Sequence, residues 1–164
     1  MLGHRLAGSL FAFWCCCSNA FAADLILPNL QMTPGSVRQG LSLKRICEIK
    51  WGKDARHVTQ AMKNEIFTNY GLSGNTDPRC IADQHGRKCE IDHLISRELG
   101  GADEVRNLWP EPYGTHPWNA QLKDRLENRL HKEVCEHRLS LKKAREEIQA
   151  DWRVPYRRYF GDPP

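Results

Sequence analysis

Glu90-Ile91-Asp92-His93-Leu94-Ile95-Ser96-Arg97-Glu98-Leu99-Gly100-Gly101, then Arg106-Asn107-Leu108-Trp109-Pro110, then Trp118-Asn119-Ala120-Gln121-Leu122-Lys123, is the stretch that decides how this chain is read. Ile91 to Ile95 suits a short strand, Gly100-Gly101 a turn, and Val105 to Trp109 a returning strand or loop. Pro110, Pro112, Gly114 and Pro117 keep the next residues extended until a helix opens near Trp118. The order describes a hairpin and a helix that can close around one metal ion.

Working outward, Trp118, Leu122, Leu126, Leu130 and Val134 recur every fourth residue with charges between them, the pattern of an amphipathic helix. Ser140 is a suitable N-cap for a further helix through Leu141, Ala144, Ile148 and Trp152, which Pro155 should end. The aromatic tail of Tyr156, Tyr159 and Phe160 is then free to dock on the core. Upstream, Val58, Met62, Ile66 and Tyr70 form one row of a helix expected over residues 55–70, with Gly71 as its stop. Residues 23 to about 45 read as irregular, punctuated by Pro28, Pro34-Gly35 and Gly40. The expected fold class is α+β: a small helical domain around a hairpin-plus-helix core.

With 164 residues the chain has the length of one domain. His4-Arg5, the apolar run Leu6 to Cys17 and Ala20-Phe21-Ala22 read together as a signal peptide over residues 1–22, cleaved near Ala22. Residues 23–164 are then a single secreted or periplasmic domain, its central unit at about 88–135, with no expected contact with a membrane. That portion keeps four cysteines, Cys47, Cys80, Cys89 and Cys135, an even number suited to an oxidising compartment. Three pairings are possible; Cys80–Cys89 would close a small loop, and Cys47–Cys135 would staple the N-terminal part to the long helix. A zinc site at Cys80, His85 and Cys89 is the alternative, and no Cys-x-x-Cys spacing supports it. Net charge is +4, or +3 without Arg5, too small an excess to point to nucleic acid by itself. Its placement says more, because Arg87-Lys88, Arg97, Lys123, Arg125 and Arg129 flank the Asp92-His93 segment and the helix after it.

The chemistry these residues suit is phosphodiester hydrolysis, which needs an activated water and charge neutralisation at phosphorus. Asp92 offers a carboxylate to a hard cation, and Asn119 an amide oxygen from the facing helix, with His116 as the alternative ligand. His93, with an ordinary pKa near ~6.5, suits a general base. On a strand Asp92 and His93 point to opposite faces, so a local twist must bring both to one site. Asn107 is placed to tie the hairpin loop and orient the base, and Arg97 and Lys123 to contact phosphate. Each of these residues alone has a plainer use as a turn, cap or solvated surface group; the ordered combination carries the reading.

Asp92-His93-Leu94-Ile95, Glu98-Leu99-Gly100-Gly101, Asn107-Leu108-Trp109-Pro110-Glu111-Pro112 and Lys123-Asp124-Arg125-Leu126-Glu127 resemble the His-Asn-His nuclease superfamily, in particular its small secreted bacterial members. Thr33-Pro34-Gly35, Ile46-Cys47 and Val134-Cys135 extend the likeness over most of residues 23–164. Ser96-Arg97 stands where that pattern carries Pro-Leu. The resemblance implies a ββα-metal core with Asp92 and Asn119 on the metal, His93 as base and Asn107 orienting it. It further implies an endonuclease using one divalent ion, Mg²⁺ or Mn²⁺, on DNA or RNA with little sequence specificity. The alternative is a catalytically inactive secreted binding or structural domain on the same scaffold. Oligomeric state is not legible in the sequence.

Overall fold

The computed structural model describes residues 24–49 and 53–164; the expected signal peptide, residues 1–22, lies outside the described residues. Its class is α+β: among the described residues five helices surround one two-stranded antiparallel sheet. The first helix, α1 (Leu43–Glu48), is capped by Ser42, whose side chain accepts from the Arg45 N–H. In α2 (Gln60–Asn69) the Thr59 hydroxyl accepts from the Met62 N–H and sets the start. The helix is therefore shorter than the expected 55–70, and the His57 N–H is spent on Asp103 instead.

The sheet pairs β1 (Cys89–His93) with β2 (Leu108–Pro112), Glu90 opposite Glu111, Ile91 opposite Pro110 and Asp92 opposite Trp109. Both strands sit earlier or later than the expected Ile91–Ile95 and Val105–Trp109. The cause is Asn107, whose buried side chain accepts from the Ile95 N–H (3.0 Å) and donates to the carbonyls of Ile95 and Ala102 (both 3.0 Å). That clamp draws Ile95 out of the ladder and folds Val105–Asn107 into a 3₁₀ turn. A two-stranded sheet is all edge, which lets β2 carry Pro110 and Pro112.

α3 (Ala120–Cys135) is capped by Asn119, the residue expected on a metal, while α4 (Leu141–Asp151) is capped by Ser140, as the sequence leads one to expect. Pro155 does not end the helical run: α5 (Arg153–Phe160) begins at once and takes Pro155 into its first turn, where no intrahelical N–H is required. Leu126, Leu130 and Val134 of α3 pack with Ile148, Trp152 and Tyr156 in one core; Ile66, Phe67, Ile91 and Leu108 form a second on the other side of the hairpin. Trp118 meets Trp152 and Tyr156 edge-on, with centroids 5.3 and 5.4 Å away, adding about 0.5–1.5 kcal/mol per pair beyond burial.

Both expected disulfides are present, Cys47–Cys135 joining α1 to α3 and Cys80–Cys89 closing the loop before β1. By the loop-entropy model the first, spanning 88 residues, stabilises by about 4.6 kcal/mol. No helix among the described residues is long and apolar enough to cross a membrane.

Gly100-Gly101 closes the loop between the strands for two different reasons. Gly100 adopts φ +83°, and a Cβ on Gly101 would lie 1.7 Å from the Ile95 carbonyl oxygen. Gly101→Ala must therefore push apart the segment that Asn107 clamps. The expected loss is about 3 kcal/mol, the upper part of the overpacking range, read by urea denaturation of the oxidised protein.

Candidate active site

Alternation along β1 sends Glu90 and Asp92 to one face, and the register sets Glu111 beside them from β2. One oxygen from each of the three carboxyls lies within 4.8 Å of the others. Opposite them, α3 presents Lys123 and Glu127 four residues apart on one face. The Lys123 ammonium, fully buried, donates to Asp92 Oδ2 (2.5 Å), to the His93 carbonyl (2.8 Å) and to Glu127. The Trp109 ring lies 5.0 Å from the same nitrogen.

Asp92 and His93 open onto one cleft of about 700 Å³, lined also by Arg56, Glu90, Arg97, Glu98, Asp124, Glu127 and His131. The sequence left open how adjacent strand residues could share a site; His93 is the last residue of β1, and the cleft wraps its end. His93 Nε2 and Asp103 Oδ1 are 2.8 Å apart, and the other Asp103 oxygen accepts from the His57 N–H. Burial pushes the His93 pKa down, against the pull of Asp103 and Asp92. The ring is thus neutral at neutral pH, with Nε2–H donated to Asp103 and Nδ1 left as the basic nitrogen. Asp103 itself is held well below the usual carboxylate range: the His93, His57 and Arg97 contacts outweigh its desolvation.

Burial also works against ionisation of Asp92, but the Lys123 ammonium, joined in acid by the protonated His93 ring, wins and lowers its pKa. Glu90, buried and close to the Asp92 charge, is pushed up to about 7. Burial raises Glu111 further; its oxygens meet no N–H or hydroxyl donor among the described residues, and the Asp92 carboxyl lies within hydrogen-bond reach. A cleft this rich in carboxyls repels a bare phosphate. The all-oxygen donor set and the orphaned Glu111 suit a hard divalent cation, which would reverse that field.

Several expected roles move. Asn107 holds the loop as expected, yet its side chain bonds Ile95, Ala102 and Ser36, while the residue on the His93 ring is Asp103. Asn119 does not face Asp92: its oxygen accepts from the Leu122 N–H (3.2 Å) and its amide donates to the Thr115 carbonyl, so it serves the helix end. His116 is exposed in the preceding turn; neither residue lines the cleft. Lys123 is sealed beneath Asp92 and cannot reach a bound phosphate from that position. Arg97 does line the cleft but is tied to Asp54 (2.7 Å) and the Ala55 carbonyl. Arg56 was missed by the sequence reading; it lines the cleft, donates to the Ile91 carbonyl and pairs with no carboxylate among the described residues. Nothing in its sequence neighbourhood signals this, whereas Asp103, soon after Gly100-Gly101, could have been weighed as a partner for His93.

No family model, curated protein or solved structure matches this chain.

Lys123→Met should cost about 3–5 kcal/mol, because it leaves Asp92 charged, buried and unpaired; chemical denaturation reads this directly. Because the Asp103 pKa is depressed in the folded state, its contribution is present above the unfolded value of about 3.9 and is lost as pH falls below it. Melting temperature against pH should therefore fall on the acid side, and Asp103→Asn should flatten that fall.

Proposed function

We propose that this protein is a secreted or periplasmic, metal-dependent endonuclease of the His-Asn-His type, hydrolysing phosphodiester bonds of nucleic acid with little sequence specificity. The observation that carries the reading is the neutral His93, held through Nε2 by Asp103 and opening onto the same cleft as the Asp92 carboxyl cluster. In the proposed reaction His93 takes a proton from water as its oxygen bonds to phosphorus in line. The bond to the 3′ oxygen breaks, leaving 5′-phosphate and 3′-hydroxyl ends. Asp92, with the carboxyls beside it, would hold a divalent ion, Mg²⁺ or Mn²⁺, and a bound ion supplies the positive charge that the phosphate and departing oxygen need. Asp103 keeps the proton on Nε2 and the basic site on Nδ1. Arg56 and Arg97 are the cations on the cleft wall available to flanking phosphates. The hairpin and α3 then serve as a ββα-metal core, and the cleft holds no groove-reading element that would favour one sequence.

One observation favours a second reading, a catalytically inactive binding or structural domain on the same scaffold. The Lys123 ammonium already neutralises Asp92 on one side, which a domain with no ion would need.

Plasmid nicking by the oxidised protein, with Mg²⁺ or Mn²⁺ and with chelator, decides between them, with an RNA substrate in a parallel arm. Metal-dependent cutting should fall about 10²–10⁴-fold in His93→Ala and in Asp103→Asn, read on protein that circular dichroism shows to be folded. Folded protein that cuts neither substrate would favour the binding domain.

A further inference from the structure

The proposed ion can approach Asp92 from the α3 side or from the hairpin side, and the two sides differ. On the α3 side Asp92 Oδ2 is taken by the Lys123 ammonium at 2.5 Å, and a second cation there would meet that charge. Asn119, the N-cap of α3, spends its amide oxygen on the Leu122 N–H, and Asn128 of α3 lines the cleft one position beyond the Lys123–Glu127 row. On the hairpin side the donors lack partners. Asp92 Oδ1 accepts from no N–H among the described residues. Glu90 uses Oε2 on the Tyr113 hydroxyl (2.6 Å), while its buried Oε1 is unpartnered. Glu111 has no exposed surface; neither of its oxygens meets an N–H or hydroxyl donor, and the polar group within hydrogen-bond reach is the Asp92 carboxyl.

A buried carboxyl with two unsatisfied oxygens, directed at two other carboxyls, carries a desolvation cost that a hydrogen bond or an ion normally offsets. An apolar side chain would fill the same place under the hairpin without that cost.

We propose that Glu90, Asp92 and Glu111 form a divalent-cation site built on the hairpin alone, with Glu111 as its innermost ligand and α3 contributing Lys123 as a fixed counter-charge instead of a ligand. The ion is a hard one, Mg²⁺ or Mn²⁺, since all donors are carboxylate oxygens. Five carboxyls (Glu90, Asp92, Glu111, Asp124 and Glu127) lie around the single Lys123 ammonium. The site deepens the nuclease reading by naming the ligands of its ion, but the binding of the ion can be measured without any cutting.

Titration calorimetry with Mn²⁺ alone, using the oxidised protein, tests the assignment, with plasmid nicking run on the same samples. Glu111→Gln keeps the shape and removes a carboxylate ligand, and Glu90→Gln does the same at a less enclosed position. Each should weaken Mn²⁺ binding by at least about tenfold, the scale found even for groups that only orient ligands, while Asn119→Ala leaves the affinity unchanged. Should Glu111→Gln fail to fold, the Glu90→Gln and Asn119→Ala pair decides. Mn²⁺ bound equally well by both glutamine variants, lost in Asn119→Ala, or not bound by the parent protein overturns the hairpin site. Hairpin-dependent Mn²⁺ binding without nicking upholds the site and removes the nuclease reading. Metal-dependent nicking with undiminished Mn²⁺ affinity in the glutamine variants does the reverse.

Discussion

A fully buried ammonium cannot be left without partners, and that constraint at Lys123 governs how the helix meets the hairpin. Its three donors reach the Asp92 carboxylate, the His93 carbonyl and Glu127 one turn along its own helix. Sliding α3 by a single residue would strand the charge and a buried carboxylate together. With Lys123 and Glu127 turned to β1, the rows on the other side of α3 are committed as well. Leu126, Leu130 and Val134 then face α4 and α5, and Trp118 enters the aromatic cluster with Trp152 and Tyr156.

A second polar device does for the loop what Lys123 does for the helix. Asn107 is fully buried and uses both ends of its amide on backbone, so the turn through Gly100-Gly101 has its peptide groups satisfied inside the protein. Fixing that turn places Asp103 where it can accept from the His93 ring. The positions of base and partner thus follow from a side chain that touches neither ring. Chemistry and stability are divided among neighbours: Asn107 holds backbone, Asp103 holds the imidazole, and Lys123 holds the carboxylate.

Much of this was legible in the sequence, and the failures have identifiable causes. The helix rows at Leu122, Leu126 and Leu130 and the cap at Ser140 are local signals, and they appear as helices with that cap. Pro155 misled because proline bars a helix interior but fits a first turn, and nothing local says that a new helix starts at Arg153. Asn119 misled in a related way: the same amide oxygen can cap a helix or bind an ion, and an N-cap position spends it on the backbone. Lys123 was read as a surface cation because lysine is seldom buried, and the carboxylates that make burial tolerable lie four residues and thirty-one residues away.

By itself the sequence determined the α+β class, the periodic faces of α3 and α4, the order of Asp92, His93 and Asn107, and four cysteines with three possible pairings, one of which is observed. These depend on spacing along the chain, which periodicity and turn chemistry report directly. Only the tertiary structure decided that Glu111 stands beside Glu90 and Asp92, that Asp103 holds His93, and that Lys123 is inside while Arg56 lines the cleft. Each of these depends on strand register or on which helix face turns inward. A one-residue change in register reverses every side chain of a strand, so such contacts are set by the packing of the whole and by no segment alone.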